Sequence, residues 1–78
     1  MKFSDQERVL LLAAKGVGPK VIERLEQMNI TNFESLARAD AREILAMGAQ
    51  LTGSSCWKNS PLARAAIEKA IVVAENNL

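Results

Sequence analysis

The residues of this 78-residue chain best suited to chemistry lie together in Lys15-Gly16-Val17-Gly18-Pro19-Lys20. Two glycines around one apolar residue permit a tight reversal that larger side chains would obstruct, while Val17 tucks between the flanking segments. Pro19 suits the first position of a helix, because the N–H it lacks would have no partner there. The amides that follow the turn are then donors at the positive end of a helix dipole, and a phosphate is their natural occupant. Lys20 falls in the first turn of that helix, Arg24 one turn further along the same face, and Lys15 on the other side of the reversal.

The remaining inventory points away from catalysis. The chain has no histidine, which removes the commonest general base, the Ser-His and Cys-His pairs and the commonest metal ligand. One cysteine, Cys56, excludes an intramolecular disulfide and any two-cysteine zinc or redox site. No enzyme activity, cofactor or metal is expected. Lys58 stands close in sequence to Cys56, but with no base at hand the thiol reads as a small buried filler and Trp57 as a pin that holds a polar loop to the core. The other reading of Trp57, with Lys58, is an exposed residue for a protein partner or a stacked base. Ser54 and Ser55 read as an ordinary loop rather than a phosphate nest. Asp40 and Glu43 look like a carboxylate pair, yet their spacing is what a capping box requires. Lys58, Arg64 and Lys69 would extend a basic surface along the last helix, with Glu68 beside Lys69 favouring a solvated face.

Composition sets the frame. Half the residues are apolar (49%) and 24% charged, as in an ordinary globular chain, and the formal charge is +1. Over residues 1–30, Lys2, Arg8, Lys15, Lys20 and Arg24 face Asp5, Glu7, Glu23 and Glu26. Any affinity for nucleic acid must therefore be local and weak, no tighter than about 10⁻⁴ M for a couple of phosphate contacts. The apolar patch from Val9 to Ala14 follows acidic residues and is too short for a signal core or a membrane span. The expectation is a cytoplasmic protein with no membrane association.

The elements that hold the motif read as helices. Ser4 with Glu7 forms a capping box. It opens a helix carrying Val9, Leu10, Leu12 and Ala13 and stopping at Gly16. Pro19 opens a second with Val21, Ile22, Leu25 and Met28 on one stripe, ended by Asn29, which tolerates positive φ. Thr31 with Glu34 opens a short helix with Phe33, Leu36 and Ala37. Asp40 with Glu43 opens another, with Ile44, Leu45 and Met47, ended by Gly48. The stretch from Gly48 to Ser60 reads as loop, and Met28 and Met47 as core. Ser60 and Pro61 then start a helix of about four turns, striped by Leu62, Ala66, Ile67, Ala70, Ile71 and Ala74. The expected fold is one all-α domain, a compact bundle of about five short helices.

LLAAKGVGPKVIERLEQMNI, followed by TNFESLARADAREI, resembles the helix-hairpin-helix motif of DNA repair and recombination proteins. The resemblance covers roughly residues 9–45, about half the chain, and also suggests a sterile-alpha-motif-like bundle. It implies DNA binding without sequence preference, with Gly16, Val17 and Gly18 forming the hairpin and Gly18 and Lys20 offering donors to phosphate. Three positions depart from the family pattern. Lys15 stands where proline is frequent, Ile22 where a small residue packs, and Asn29 where glycine ends the second helix. A paired hairpin would fall at residues 48–60, from Gly48 through Gly53 towards Pro61, as a degenerate copy. A monovalent cation at the hairpin carbonyls would fit the resemblance, although no residue signals one.

Two functional readings follow. The first is weak, non-specific binding of nucleic acid backbone through Lys15, Gly16, Val17, Gly18, Lys20 and Arg24, either beside another protein or by self-association. The second is a protein-interaction module whose hairpin is only structural.

Overall fold

The computed structural model describes residues 2–53 and 59–78. It contains five helices, α1 (Asp5–Ala13), α2 (Pro19–Gln27), α3 (Phe33–Ala37), α4 (Ala41–Thr52) and α5 (Pro61–Asn76). No strand occurs among the described residues. The all-α reading therefore holds. The bundle measures 31 × 24 × 20 Å. No helix among the described residues is long and apolar enough to cross a membrane.

The longest helix, α5, is the axis that α1, α2, α3 and α4 all touch. Its inward stripe is Ala63, Ala66, Ile67, Ala70 and Ala74, all buried. Alanine on four of those five positions lets neighbouring backbones approach closely, and Ile67 fills the centre. Around it Leu11, Ile22, Leu25, Leu36 and Ile44 are fully buried. No charged or polar side chain is buried among the described residues. The core is thus held by area alone.

Most helix starts fall where the sequence marks them. Ser4 and Glu7 form the full capping box, and Ser60 Oγ accepts from the Ala63 amide at 3.2 Å; Asp40 caps α4 as well, but through the Arg42 amide at 2.8 Å and not in the capping box expected with Glu43. Pro19 and Pro61 open α2 and α5, and Asn29 closes α2 with φ +64°. One start differs. The α3 cap is Asn32, whose Oδ1 accepts from the Ser35 amide at 2.8 Å, and not Thr31. With Asn32 as cap, Phe33 becomes the first helical residue, and its orphan amide donates to Glu7 Oε2 at 2.9 Å.

Three stripes also differ. In α1 the buried residue is Leu11, whereas Val9 and Leu12 are 66% and 41% exposed. The segment from Val9 to Ala14 is apolar all round, so its phase is set from outside. Glu7 and Leu11, one turn apart, share the face that the Phe33 amide draws inward. In α4, Gly48 does not end the helix, which runs on to Thr52 and stops at Gly53 with φ +68°. Packing against α5 outweighs the roughly 1 kcal/mol that an interior glycine costs. Met47 consequently lies on a helix surface and is 39% exposed, not core, whereas Met28 does pack against the core. In α5 the stripe passes through Ala63, which leaves Leu62, one position off it, 83% exposed.

Candidate nucleic-acid interface

The hairpin between α1 and α2 is assembled by backbone. Ala14 turns extended and its N–H donates to the Leu11 carbonyl at 3.0 Å. The Val17 amide closes the turn on the Ala14 carbonyl at 3.2 Å. Between them Gly16 takes φ +88°, a conformation that L side chains resist. Val17 is buried in the core and fixes the hairpin from beneath. Gly18 is the extended N-cap of α2, and its carbonyl accepts from the amides of Val21 at 3.1 Å and Ile22 at 3.3 Å.

Those bonds leave four donors over. Among the described residues, the amides of Lys15 and Gly16 in the turn, and those of Gly18 and Lys20 at the start of α2, have no acceptor. Pro19 between them has no N–H, so this end of α2 offers a pair of donors at the positive pole of a nine-residue helix.

The two glycines have different reasons. Gly16 is required by its backbone angle. A Cβ there would meet the Cβ of Ala66 at 4.0 Å, an ordinary contact, so the obstacle is conformation and not space. Gly18 has φ −110° and ψ 178°, which any residue adopts, and a Cβ there would meet nothing within 4 Å. The sequence expectation that both glycines serve the reversal is thus right only for Gly16. Inside the fold nothing forbids a side chain at position 18.

Lys15 and Lys20 flank the two amides, are exposed, and have no ion pair among the described residues. Arg24 is half-buried and donates to Gln27 Oε1 at 3.0 Å, while Gln27 donates to Glu23 Oε1 at 3.4 Å. Its guanidinium is therefore engaged along α2. The second acid of α2, Glu26, is occupied elsewhere. Its Oε2 accepts from the Phe3 amide at 3.0 Å and lies 3.9 Å from Arg8 Nη1. The field that Glu26 would subtract from Lys20 is thus partly answered by Arg8 at the other end of the helix.

Sequence reasoning missed what braces this arrangement. Glu7 Oε1 accepts from the Ser4 amide at 3.2 Å while its Oε2 accepts from Phe33. The rings of Phe3 and Phe33 stand 6.5 Å apart at 56°. Together with Glu26 these residues tie the start of α1 to α2 and α3. The Ser-x-x-Glu pattern signals the first oxygen of Glu7 but carries no trace of the second.

On the α5 side the hairpin borders a groove of roughly 510 Å³ lined by Lys15, Gly16, Leu62, Ala65, Ala66 and Lys69. Lys69 is exposed and unpaired among the described residues, whereas Arg64 is bound to Glu68 Oε1 at 3.0 Å and adds little free charge. Ser54, Ser55, Cys56, Trp57 and Lys58 lie outside the described residues. Of the second hairpin expected at 48–60, the part up to Thr52 is helix α4. Among the described residues no group of three His, Cys, Asp or Glu stands close enough to hold a metal. Compared with family models, curated proteins and solved structures, the chain has no match.

Proposed function

We propose that this chain binds nucleic acid backbone without sequence preference through the 15–20 hairpin. The observation that carries the reading is the state of Gly18 and Lys20, two neighbouring amides at a helix N-terminus with no acceptor in the described chain. The glycine at the first of them answers no demand of space or backbone angle, only the mild preference of an N-cap. A phosphate oxygen approaching those amides supplies the missing acceptor, and an unsubstituted Cα gives it room. Lys15 and Lys20 add exposed charge on either side. Such contacts address phosphate and not base edges, so they position without specifying. No stretch of the chain is rich in the Arg, Asn and Gln of a groove-reading helix.

The test is an amide chemical-shift titration with a short duplex at low salt, repeated at higher salt. Shifts centred on Gly16 to Lys20 that fade with salt are expected; motionless hairpin amides would sink the reading. With about two phosphates engaged, raising salt from roughly 50 to 200 mM should weaken binding about tenfold.

A second reading, a protein-interaction module that includes self-association, draws on the outer face of α1, where Val9 and Leu12 lie exposed one turn apart. Sedimentation over a range of protein concentrations tests it. A mass that rises with concentration and falls back on Val9→Gln would support that reading.

A further inference from the structure

Two exposed faces of the molecule have no part in holding the fold. In α4, Glu43, Met47 and Leu51 follow one another at four-residue spacing and form a single ridge on the helix surface. Met47 and Leu51 are 39% and 48% exposed. Glu43 is exposed too, and its carboxylate has neither an ion pair nor a hydrogen bond among the described residues. The neighbouring cation, Arg42, stands about 100° round the helix from it.

The other face is the groove between the hairpin and α5. Gly16, Ala65 and Ala66 line it, and Leu62, 83% exposed, lies towards the start of the helix. Lys69 follows about two turns further along α5, and Lys15 lines the hairpin side. Both lysines are exposed and without an ion pair among the described residues. No acidic residue lines the groove.

Ridge and groove match in order, spacing and charge. Laid antiparallel on α5, the ridge brings Glu43 to Lys69, Met47 over Ala65 and Ala66, and Leu51 beside Leu62. Both rows advance in steps of three or four residues, about 4.5–6 Å at the helical rise, so the three pairs fall into register together. Two alanines in the middle leave room for Met47, whose unbranched side chain adapts to an irregular trough. The ridge carries one unpaired carboxylate and the groove only cations. A formal charge of +1 raises little repulsion between copies. We propose that the groove between the hairpin and α5 receives the Glu43–Met47–Leu51 ridge of α4 from a second copy of this chain. The two surfaces differ, so the contact is heterologous: it closes into a ring where the rotation permits and otherwise extends as a row of copies. It does not use the outer face of α1, and it does not rest on the hairpin reading.

The experiment is sedimentation of the full chain over a wide range of protein concentration. The mass should rise with concentration, and should do so equally in Val9→Gln, which alters only the α1 face. Leu62→Gln and Leu51→Gln, at exposed positions, should leave the thermal melt unchanged and each weaken association about tenfold or more, the share of one leucine buried at a contact. Lys69→Glu or Glu43→Lys alone should weaken it about fivefold. An equimolar mixture of those two single variants should recover the parent's association, because each ridge then meets the opposite charge in the other's groove. A merely structural role for either residue would not give that recovery. A chain that stays monomeric at every concentration overturns the inference. So does association that survives Leu62→Gln, or a mixture that associates no better than its separate components. Association lost in Val9→Gln belongs to the α1 face and overturns it equally. None of these outcomes changes what the nucleic-acid titration reads at Gly16 to Lys20, so the hairpin reading stands or falls separately.

Discussion

Gly16 faces Ala66: the first glycine of the hairpin lies by the second alanine of the α5 stripe, and a Cβ on Gly16 would stand 4.0 Å from that of Ala66, an ordinary contact. The hairpin therefore sits beside α5. Val17 beside it is buried in the core, so the turn is held both from beneath and from the α5 side. If the proposed binding holds, amides anchored through the buried Val17 would lose less ordering entropy on meeting a phosphate than those of a mobile loop.

The two glycines should separate in a pair of variants. Gly16→Ala puts a side chain at φ +88°, a strain of about 1–2 kcal/mol, which for a domain of this size lowers Tm by roughly 4–16 °C. Gly18→Ala meets no atom within 4 Å and an ordinary φ, so its cost is that of a poorer N-cap alone, roughly 0.5 kcal/mol, and Tm should fall by about 2–4 °C, less than for Gly16→Ala. Binding should reverse that order, with Gly18→Ala losing most of the phosphate-dependent amide shifts because its methyl stands where the oxygen approaches. Thermal melts and titrations on the same samples decide it. A Gly18→Ala protein that binds normally removes the ligand-based reason for that glycine.

Glu7 should matter for stability and not for binding. Its carboxylate satisfies the Ser4 amide with one oxygen and the Phe33 amide with the other, which joins two helix starts 26 residues apart. Glu7→Ala removes a cap and orphans a part-buried donor, a combined loss of about 2 kcal/mol. Urea melts of Glu7→Ala and Glu7→Gln should rank the variants, the amide keeping one acceptor and so about half the stability. Should Glu7→Ala melt like the parent, Phe33 has another acceptor when Glu7 is gone.

Much of this architecture is legible in the residues because caps and prolines act locally. Ser4, Asp40 and Ser60 each accept from an amide two or three residues on, and no tertiary context is needed to foresee that. Phase within an apolar run is different. In the run from Val9 to Ala14 every residue qualifies for burial, and Leu11 is the one that the contacts of α1 with α2 and α5 bury, on the face whose Glu7 meets the Phe33 amide 26 residues away. Gly48 is another case. Read alone it is a terminator, yet α4 continues because packing on α5 outweighs propensity. Of the candidate site, Gly16, Val17, Gly18 and Lys20 are visible as a motif. Lys69 is visible only as a charge, since nothing local says that α5 passes beside the hairpin.

Ile22 offers a check on a departure from the helix-hairpin-helix pattern that the sequence resembles. A small residue is usual there, but Ile22 is fully buried beside Leu25. Ile22→Ala should therefore cost about 2–5 kcal/mol, as a truncation in a packed core does, and not tighten the hairpin by bringing α1 and α2 together. Denaturant midpoints measure it directly. A variant as stable as the parent would mean that the helices close over the gap, and that the usual small residue fits this bundle equally well.

Lys20→Glu sets stability and binding against each other. Lys20 lies in the first turn of α2, exposed and without an ion pair among the described residues. A cation at that end of a helix opposes the macrodipole, whereas an anion is stabilised there by about 0.3–1 kcal/mol. For the fold alone, then, glutamate is the better residue, and the variant should melt as high as the parent or a few degrees higher. For binding it should be the worst single change, because it removes one phosphate-facing cation and places a carboxylate beside the Gly18 amide, where it competes for that donor. The expected result is a raised or unchanged Tm together with loss of the salt-sensitive shifts at Gly16 to Lys20. If Lys20→Glu gains stability and still binds nucleic acid with the parent's affinity and salt slope, Lys20 has no part in the interface and the phosphate must lie elsewhere.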